Sequence, residues 1–217
     1  MSWNNNKSME INRLRAGYDM GVSFCKRFNL KGKHALDVGA GHCAHSAGFA
    51  EFFDRVDCLD ITDVRFDKKP LLELTTRASS LEFYVQNAEN MTLKDKYDLV
   101  YSLSALEHMS DWRKVIKNMV EVLTDKGKLF IVISPFYYSP LGHHLDPEMG
   151  EWEHLTLPLQ KFKDEYFKRG GTDYGYKVFG ELNKMIPGDL IEEVEKYCDI
   201  EKLEVTNITI RLLATKK

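Results

Sequence analysis

The sequence predicts an α/β protein built on a mostly parallel sheet with helices on both faces. Three observations lead there. Short apolar runs recur, bounded by glycine, proline or acidic residues, as buried strands are. Stretches with apolar residues at helical spacing separate them. The first run passes directly through Gly39-Ala40-Gly41 into a helical stretch. Alternation of this kind makes neighbouring strands parallel, and right-handed crossovers leave few ways to wind them.

Residues 7–28 place Ile11, Leu14, Tyr18, Val22 and Cys25 at helical spacing, predicting one helix or two, broken near Gly17 and Gly21. Lys31-Gly32-Lys33 is a turn, and residues 34–38 are the first strand. Residues 44–53 read as a helix, 55–60 as the second strand, 70–80 as a helix and 81–86 as the third strand. The run KYDLVYS, 96–102, is the fourth strand. Residues 111–123 are amphipathic, with Trp112, Val115, Ile116, Met119 and Val120 on one side. After the Asp125-Lys126-Gly127 turn comes KLFIVIS, 128–134, the most apolar strand. Residues 189–197 form a last helix, and 200–215 alternate as one long strand or a hairpin around Asn207.

The chain has 217 residues, enough for one domain with an extension. Four parts are expected within that single domain: N-terminal helices at 1–29, a core at 30–134, an insertion at 135–188, and a last helix with terminal strands at 189–217. Five of the six prolines and 10 of the 25 aromatic residues fall in or near the insertion, which is too short for a core of its own and so packs on the main domain. The 33 acidic and 30 basic residues give a net charge of −3, which argues against a nucleic-acid partner. No apolar run approaches a membrane span, and the N-terminus lacks the apolar core of a signal peptide. Cys25, Cys43, Cys58 and Cys198 form no metal-like pair and read as buried thiols of a cytoplasmic protein.

The first turn is the strongest functional signal. Glycines at 39 and 41 let the backbone turn tightly and approach a ligand, and the next helix offers free amides. Asp60 ends the second strand nineteen residues after Gly41, where a carboxylate can accept both hydroxyls of a ribose. Asp37 favours a ligand with an ammonium group and disfavours a pyrophosphate, which weighs against a dehydrogenase.

Leu36-Asp37-Val38-Gly39-Ala40-Gly41 resembles motif I of the class I S-adenosylmethionine-dependent methyltransferases. Asn87-Ala88-Glu89 is similar to the family's adenine-flanking segment, with Asn87 where Asp is usual. Residues 97–102 followed by Leu106-Glu107-His108-Met109 resemble the fourth-strand region of the small-molecule, methyltransferase type 11-like group. Residues 123–127 stand where the family has its Leu-Lys-Pro-Gly turn. The resemblance implies a Rossmann-like sheet of seven strands with an antiparallel last strand. It implies S-adenosylmethionine as cofactor and S-adenosylhomocysteine as product. Its cofactor residues would be Asp37, Gly39, Ala40, Gly41, Asp60, Ile61, Asn87, Ala88, Glu89 and Ser102.

The implied reaction is an in-line displacement at a sulfonium methyl, on a small-molecule or sugar acceptor. The Asp/Asn-Pro-Pro-Tyr motif of amino-directed DNA methyltransferases is missing, since Ser102-Leu103-Ser104-Ala105 stands in its place. Ser134-Pro135-Phe136-Tyr137 is a strand exit. A hydroxyl acceptor needs a base near neutral pH, and histidine supplies one. His143 and His144 are the candidates, oriented by Asp146 or Glu153, with His108 in second place and no metal assigned. Tyr137, Tyr138, Trp152, Tyr174 and Tyr176 suit a pocket wall, and the stretch from Ser139 to His144 resembles that of methyltransferases thought to act on surface-polysaccharide sugars. The alternative is a non-catalytic cofactor-binding subunit or interaction module.

Overall fold

The computed structural model describes residues 3–62 and 67–217, with side chains from Ile11 onward. Seven strands of the described residues form one sheet in the order β3-β2-β1-β4-β5-β7-β6. They are β1 (Gly32–Val38), β2 (Phe53–Asp60), β3 (Leu81–Val85), β4 (Tyr97–Leu103), β5 (Leu123–Ile133), β6 (Cys198–Val205) and β7 (Ile210–Lys216). The first five pair in parallel, while β7 runs antiparallel between β5 and β6. The tail is therefore a hairpin. The order reverses between β1 and β4, so their carboxyl ends leave the crevice where ligands of such sheets bind.

Helices cover both faces and leave two cores. On one face α4 (Trp112–Glu121) buries Trp112, Val115, Ile116, Met119 and Val120, the stripe that helical spacing predicts, and α8 (Pro187–Glu195) adds Leu190 and Val194. On the other, α1 (Trp3–Phe28) and α2 (Ala44–Phe49) enclose Phe24, Phe28, Phe49 and Phe130. The four cysteines are free and buried. No helix among the described residues is long and apolar enough to cross a membrane.

The structure corrects two expected elements and decides between the two readings of a third. The first helix is continuous through Gly17 and Gly21. A Cβ on Gly21 would stand 2.4 Å from the His45 carbonyl oxygen, and one on Gly48 would stand 2.3 Å from that of Tyr18. These glycines mark a close helix crossing, not a break. Residues 70–80 form a short helix, α3 (Lys68–Leu72), and a 3-10 turn (Thr76–Ser80), separated because Thr75 caps the Arg77 amide through its hydroxyl. α2 stops at Phe49, four residues early, as β2 begins at Phe53.

The aromatic insertion folds as α5 (Glu153–Thr156), α6 (Leu159–Lys168) and α7 (Asp173–Glu181). It carries a small core of Leu145, Met149, Phe162, Tyr166, Phe179 and Leu182. Tyr166 accepts the Thr172 amide at 3.0 Å and seats the start of α7. That helix then lies across the crevice at the strand ends.

Candidate active site

A cleft of about 570 Å³ opens at the carboxyl ends of β1, β2 and β4, a volume suited to a small ligand. Gly39, Asp60, Ile61, Asn87, Ala88 and Glu89 lie on its wall. Gly39 (φ +83°) and Gly41 (φ +52°) make the turn out of β1. The Gly39 and Ala40 amides donate to the Leu59 carbonyl at 2.8 and 3.1 Å. The Gly41 amide donates to Asp60 Oδ2 at 2.9 Å. These amides face back into β2 and make no phosphate-binding nest, so the turn suits a ligand without a pyrophosphate.

Asp60 Oδ1 also accepts from the Thr62 amide and hydroxyl, at 3.1 and 3.2 Å, which fixes the carboxylate at the cleft edge. Asn87 caps a short 3-10 turn (Ala88–Asn90) by accepting the Glu89 amide at 2.8 Å. Glu89 accepts from the Ser110 hydroxyl at 2.8 Å and the Asp111 amide at 3.0 Å. Those bonds hold its carboxyl below the usual range and tie the third-strand exit to the start of α4.

Four expected cofactor residues stand off the wall. Asp37 is 2% exposed and accepts the Ser46 hydroxyl at 2.7 Å, and burial pushes its pKa up to about 7. Its carboxyl anchors α2 to β1 behind the turn. Ala40 is buried, and the Gly41 amide is already bonded to Asp60. Ser102 is fully buried, because the wall begins two residues later at Ser104, whose φ of +48° swings the chain outward. Ser104 and Ala105 were missed because spacing gives no sign of that turn.

The histidines divide sharply. His143 is completely buried. Its Nδ1 accepts the Leu145 amide at 2.9 Å, so its Nε2 carries the proton and donates to the Gly150 carbonyl at 3.1 Å. With both nitrogens engaged, it has none left to take a proton from an acceptor. The expected orienting acids are elsewhere. Asp146 is exposed, and Glu153 binds Arg169 at 2.7 Å and the Gly150 amide at 2.6 Å. His144 donates Nε2 to the Pro135 carbonyl at 2.8 Å and stands off the wall. Its ring meets that of His108 edge-on at 5.1 Å. His108 is the histidine on the wall.

His108 ends a 3-10 turn (Leu106–His108) that Asn183, a residue without any sequence signal, clamps from 75 or so residues away. The Asn183 amide group donates to the Leu106 and Met109 carbonyls at 2.8 and 2.9 Å. Burial, with the nearby His144, pushes the His108 pKa down to about 4. Its neighbour Glu107 is 2% exposed, and burial pushes its carboxyl up to about 8. Its Oε1 accepts the Ser134 amide at 3.4 Å. Among the described residues, the group spaced like metal ligands is His34, Asp57 and Asp95, near the opposite ends of the strands. There Asp57 is already bonded to Arg55 at 2.7 Å and to the Tyr97 hydroxyl at 2.9 Å.

Five histidines with lowered pKa values set the acid limb of stability. Burial lowers the pKa of His45, His108, His143, His144 and His154. Each binds its proton more readily in the unfolded chain. Their contribution is full above the ordinary value of about 6.5 and is lost progressively as pH falls below it. Asp37 and Glu107 act with opposite sign, losing their contribution as pH rises through about 7 and 8. The melting temperature is therefore expected to fall below pH 6.5, since the five histidines outnumber the two acids. Thermal unfolding across pH 4.5–7.5 checks this. His143→Leu is expected to strand the Leu145 amide and Gly150 carbonyl and cost about 1–3 kcal/mol.

The reversed strand order, the antiparallel β7 and the glycine turn into a cleft define the fold of the class I S-adenosylmethionine-dependent methyltransferases. Residues 36–131 match the family model described as a methyltransferase domain. The chain is 27% identical over 111 residues to a ubiquinone biosynthesis O-methyltransferase of Coxiella burnetii, covering 48% of this chain and 45% of that protein. It is 33% identical over 104 residues to the chloroplastic tocopherol O-methyltransferase of Arabidopsis thaliana, covering 46% and 30%. Both matches thus span less than half of the relative's length. The N-methyltransferase NodS of Bradyrhizobium japonicum WM9, solved with S-adenosyl-L-homocysteine, matches with a TM-score of 0.57 at 12% identity over 99% of this chain and 88% of that one.

Proposed function

We propose that the chain transfers a methyl group from S-adenosylmethionine to a hydroxyl oxygen of a small molecule, with His108 as the base. The observation that carries the assignment of the base is that His108 shares the cleft wall with Gly39, Asp60 and Asn87. The cleft fits the cofactor by its volume and by its phosphate-indifferent turn. Asp60 Oδ2, which accepts one bond within the chain, has a lone pair for a ribose hydroxyl. Asn87 and Ile61 would flank the adenine. When bound, the cofactor supplies an electrophilic methyl on a sulfonium centre.

The protein aligns the acceptor, keeps water away and receives its proton. Neutral His108 has a lone pair for that proton at any pH well above 4. Its weak basicity is sufficient, because a hydroxyl becomes strongly acidic as its oxygen acquires a third bond. The near-balanced charge and a cleft of about 570 Å³ favour a small acceptor, such as a sugar or a phenol, over a nucleic acid. Residues 135–188 form the cap of a single domain.

The test is a two-stage assay. Calorimetry with S-adenosylmethionine and S-adenosylhomocysteine must first show binding. A screen of hydroxyl, amine and carboxylate acceptors then scores release of the demethylated cofactor. Turnover confined to amines or carboxylates would remove the hydroxyl assignment. Asp60→Ala is expected to weaken cofactor binding about tenfold to a hundredfold, the worth of charge-assisted hydrogen bonds. An unchanged affinity would take Asp60 out of the site.

A further inference from the structure

The cap contributes three side chains to the cleft: Tyr174, Val178 and Glu181. They lie on α7 at four- and three-residue spacing, so one face of one helix overlooks the cleft. They share the cleft wall with His108 and Met109 and with the residues at the ends of β1 and β2. Tyr174 is 69% exposed even though its ring lines the cleft, so an aromatic face is available to a ligand.

The charges on the wall are one-sided. Asp60, Glu89 and Glu181 carry carboxyl groups, while no lysine or arginine lies on the wall among the described residues. Asp60 is held by Gly41 and Thr62, and Glu89 by Ser110 and Asp111. Glu181 is the acid of the α7 face. It pairs with Lys177 at 3.6 Å, and that lysine is itself 73% exposed and off the wall. Glu181 also faces the only titratable group proposed for chemistry, as its charge acts on His108.

We infer that the Tyr174–Val178–Glu181 face of α7 reads the acceptor, and that the acceptor is an uncharged or amine-bearing ring compound, not a carboxylate or phosphate. A flat apolar face would lie on Tyr174 and Val178. A hydroxyl or ammonium donor would point to Glu181. Beyond the cofactor's place an anion would meet Glu181, with no lysine or arginine on the wall among the described residues to balance it. This inference rests on the methyl-transfer reading, because it takes the β1–β2 side of the cleft as the cofactor's place.

The experiment uses the full chain loaded with S-adenosylhomocysteine and three ring probes that share one pair of hydroxyls: catechol, dopamine and 3,4-dihydroxybenzoate. Binding is read by saturation-transfer NMR, which needs no turnover. Catechol and dopamine are expected to bind about threefold more tightly than the benzoate, the scale of one solvent-screened charge contact. Glu181→Lys is expected to raise benzoate binding and lower dopamine binding, each by about tenfold. Tyr174→Ala is expected to weaken all three about equally. Equal or preferred binding of the benzoate overturns the inference, as does an unchanged order in Glu181→Lys. Failure of all three probes to bind the loaded protein overturns it as well. Failure of S-adenosylhomocysteine to bind in calorimetry is a separate result, and it defeats the methyl-transfer reading itself.

Discussion

His108→Ala is expected to lower kcat by about a hundredfold to ten-thousandfold, the usual worth of a positioned general base. Cofactor affinity should change little. The ring lies on the wall, and its partner His144 keeps its own bond to Pro135. His144→Ala is expected to lower kcat more weakly, through the lost edge-on packing against the His108 ring. His143→Ala should lower the melting temperature and leave kcat largely intact, because both its ring nitrogens serve the loop. The pH profile separates the base from a merely structural histidine. A folded pKa of about 4 leaves His108 neutral over the working range, so kcat/KM should be flat from about pH 6 to 8 on its account. A limb centred near 6.5 that His108→Ala removes would mean the ring is far less buried in solution. A His108→Ala enzyme with normal kcat would remove His108 as the base.

The sheet was legible because its signal is local. Apolar runs such as KLFIVIS and the helical stripe of α4 report their burial through periods of two and 3.6 residues. The glycine turn and Asp60 were legible because a tight turn after β1 and an acid ending β2 are marked by residue type and spacing along the chain. Other features depend on distant contacts, which a single chain does not display. Gly21 reads as a helix break until the His45 carbonyl is found against it. His143 and His144 look equivalent in a loop, yet their partners are main-chain groups at Leu145, Gly150 and Pro135. Asn183 is an ordinary polar residue until its amide closes on Leu106 and Met109. Glu181 and Val178 enter the cleft only because Tyr166 seats α7 across it.

Gly39→Ala is expected to abolish tight cofactor binding, while Gly41→Ala is expected to cost far less. Both glycines sit in the same turn and both have positive φ, +83° and +52°. Each substitution therefore incurs backbone strain of about 1–2 kcal/mol. Their surroundings differ. A Cβ at residue 39 would lie 2.4 Å from the Ala105 Cβ and 3.3 Å from the Met109 methyl. A Cβ at residue 41 would meet nothing within 4 Å. At 39 the Ser104–Ala105 segment must move, and that segment is the wall between the proposed cofactor and acceptor spaces. Displacing it also loosens the 3-10 turn that carries His108. We expect Gly39→Ala to weaken S-adenosylhomocysteine binding about a hundredfold and to lower kcat besides, because a misplacement near 1 Å costs about that much in alignment. Gly41→Ala keeps its amide on Asp60 and should bind within about tenfold of the parent, with the strain appearing mainly as a lower melting temperature. Calorimetry and thermal unfolding on both variants decide the matter. Equal losses of affinity would mean that backbone conformation alone matters in this turn. A Gly39→Ala protein that binds normally would mean that the Ala105 segment yields freely and does not form a wall.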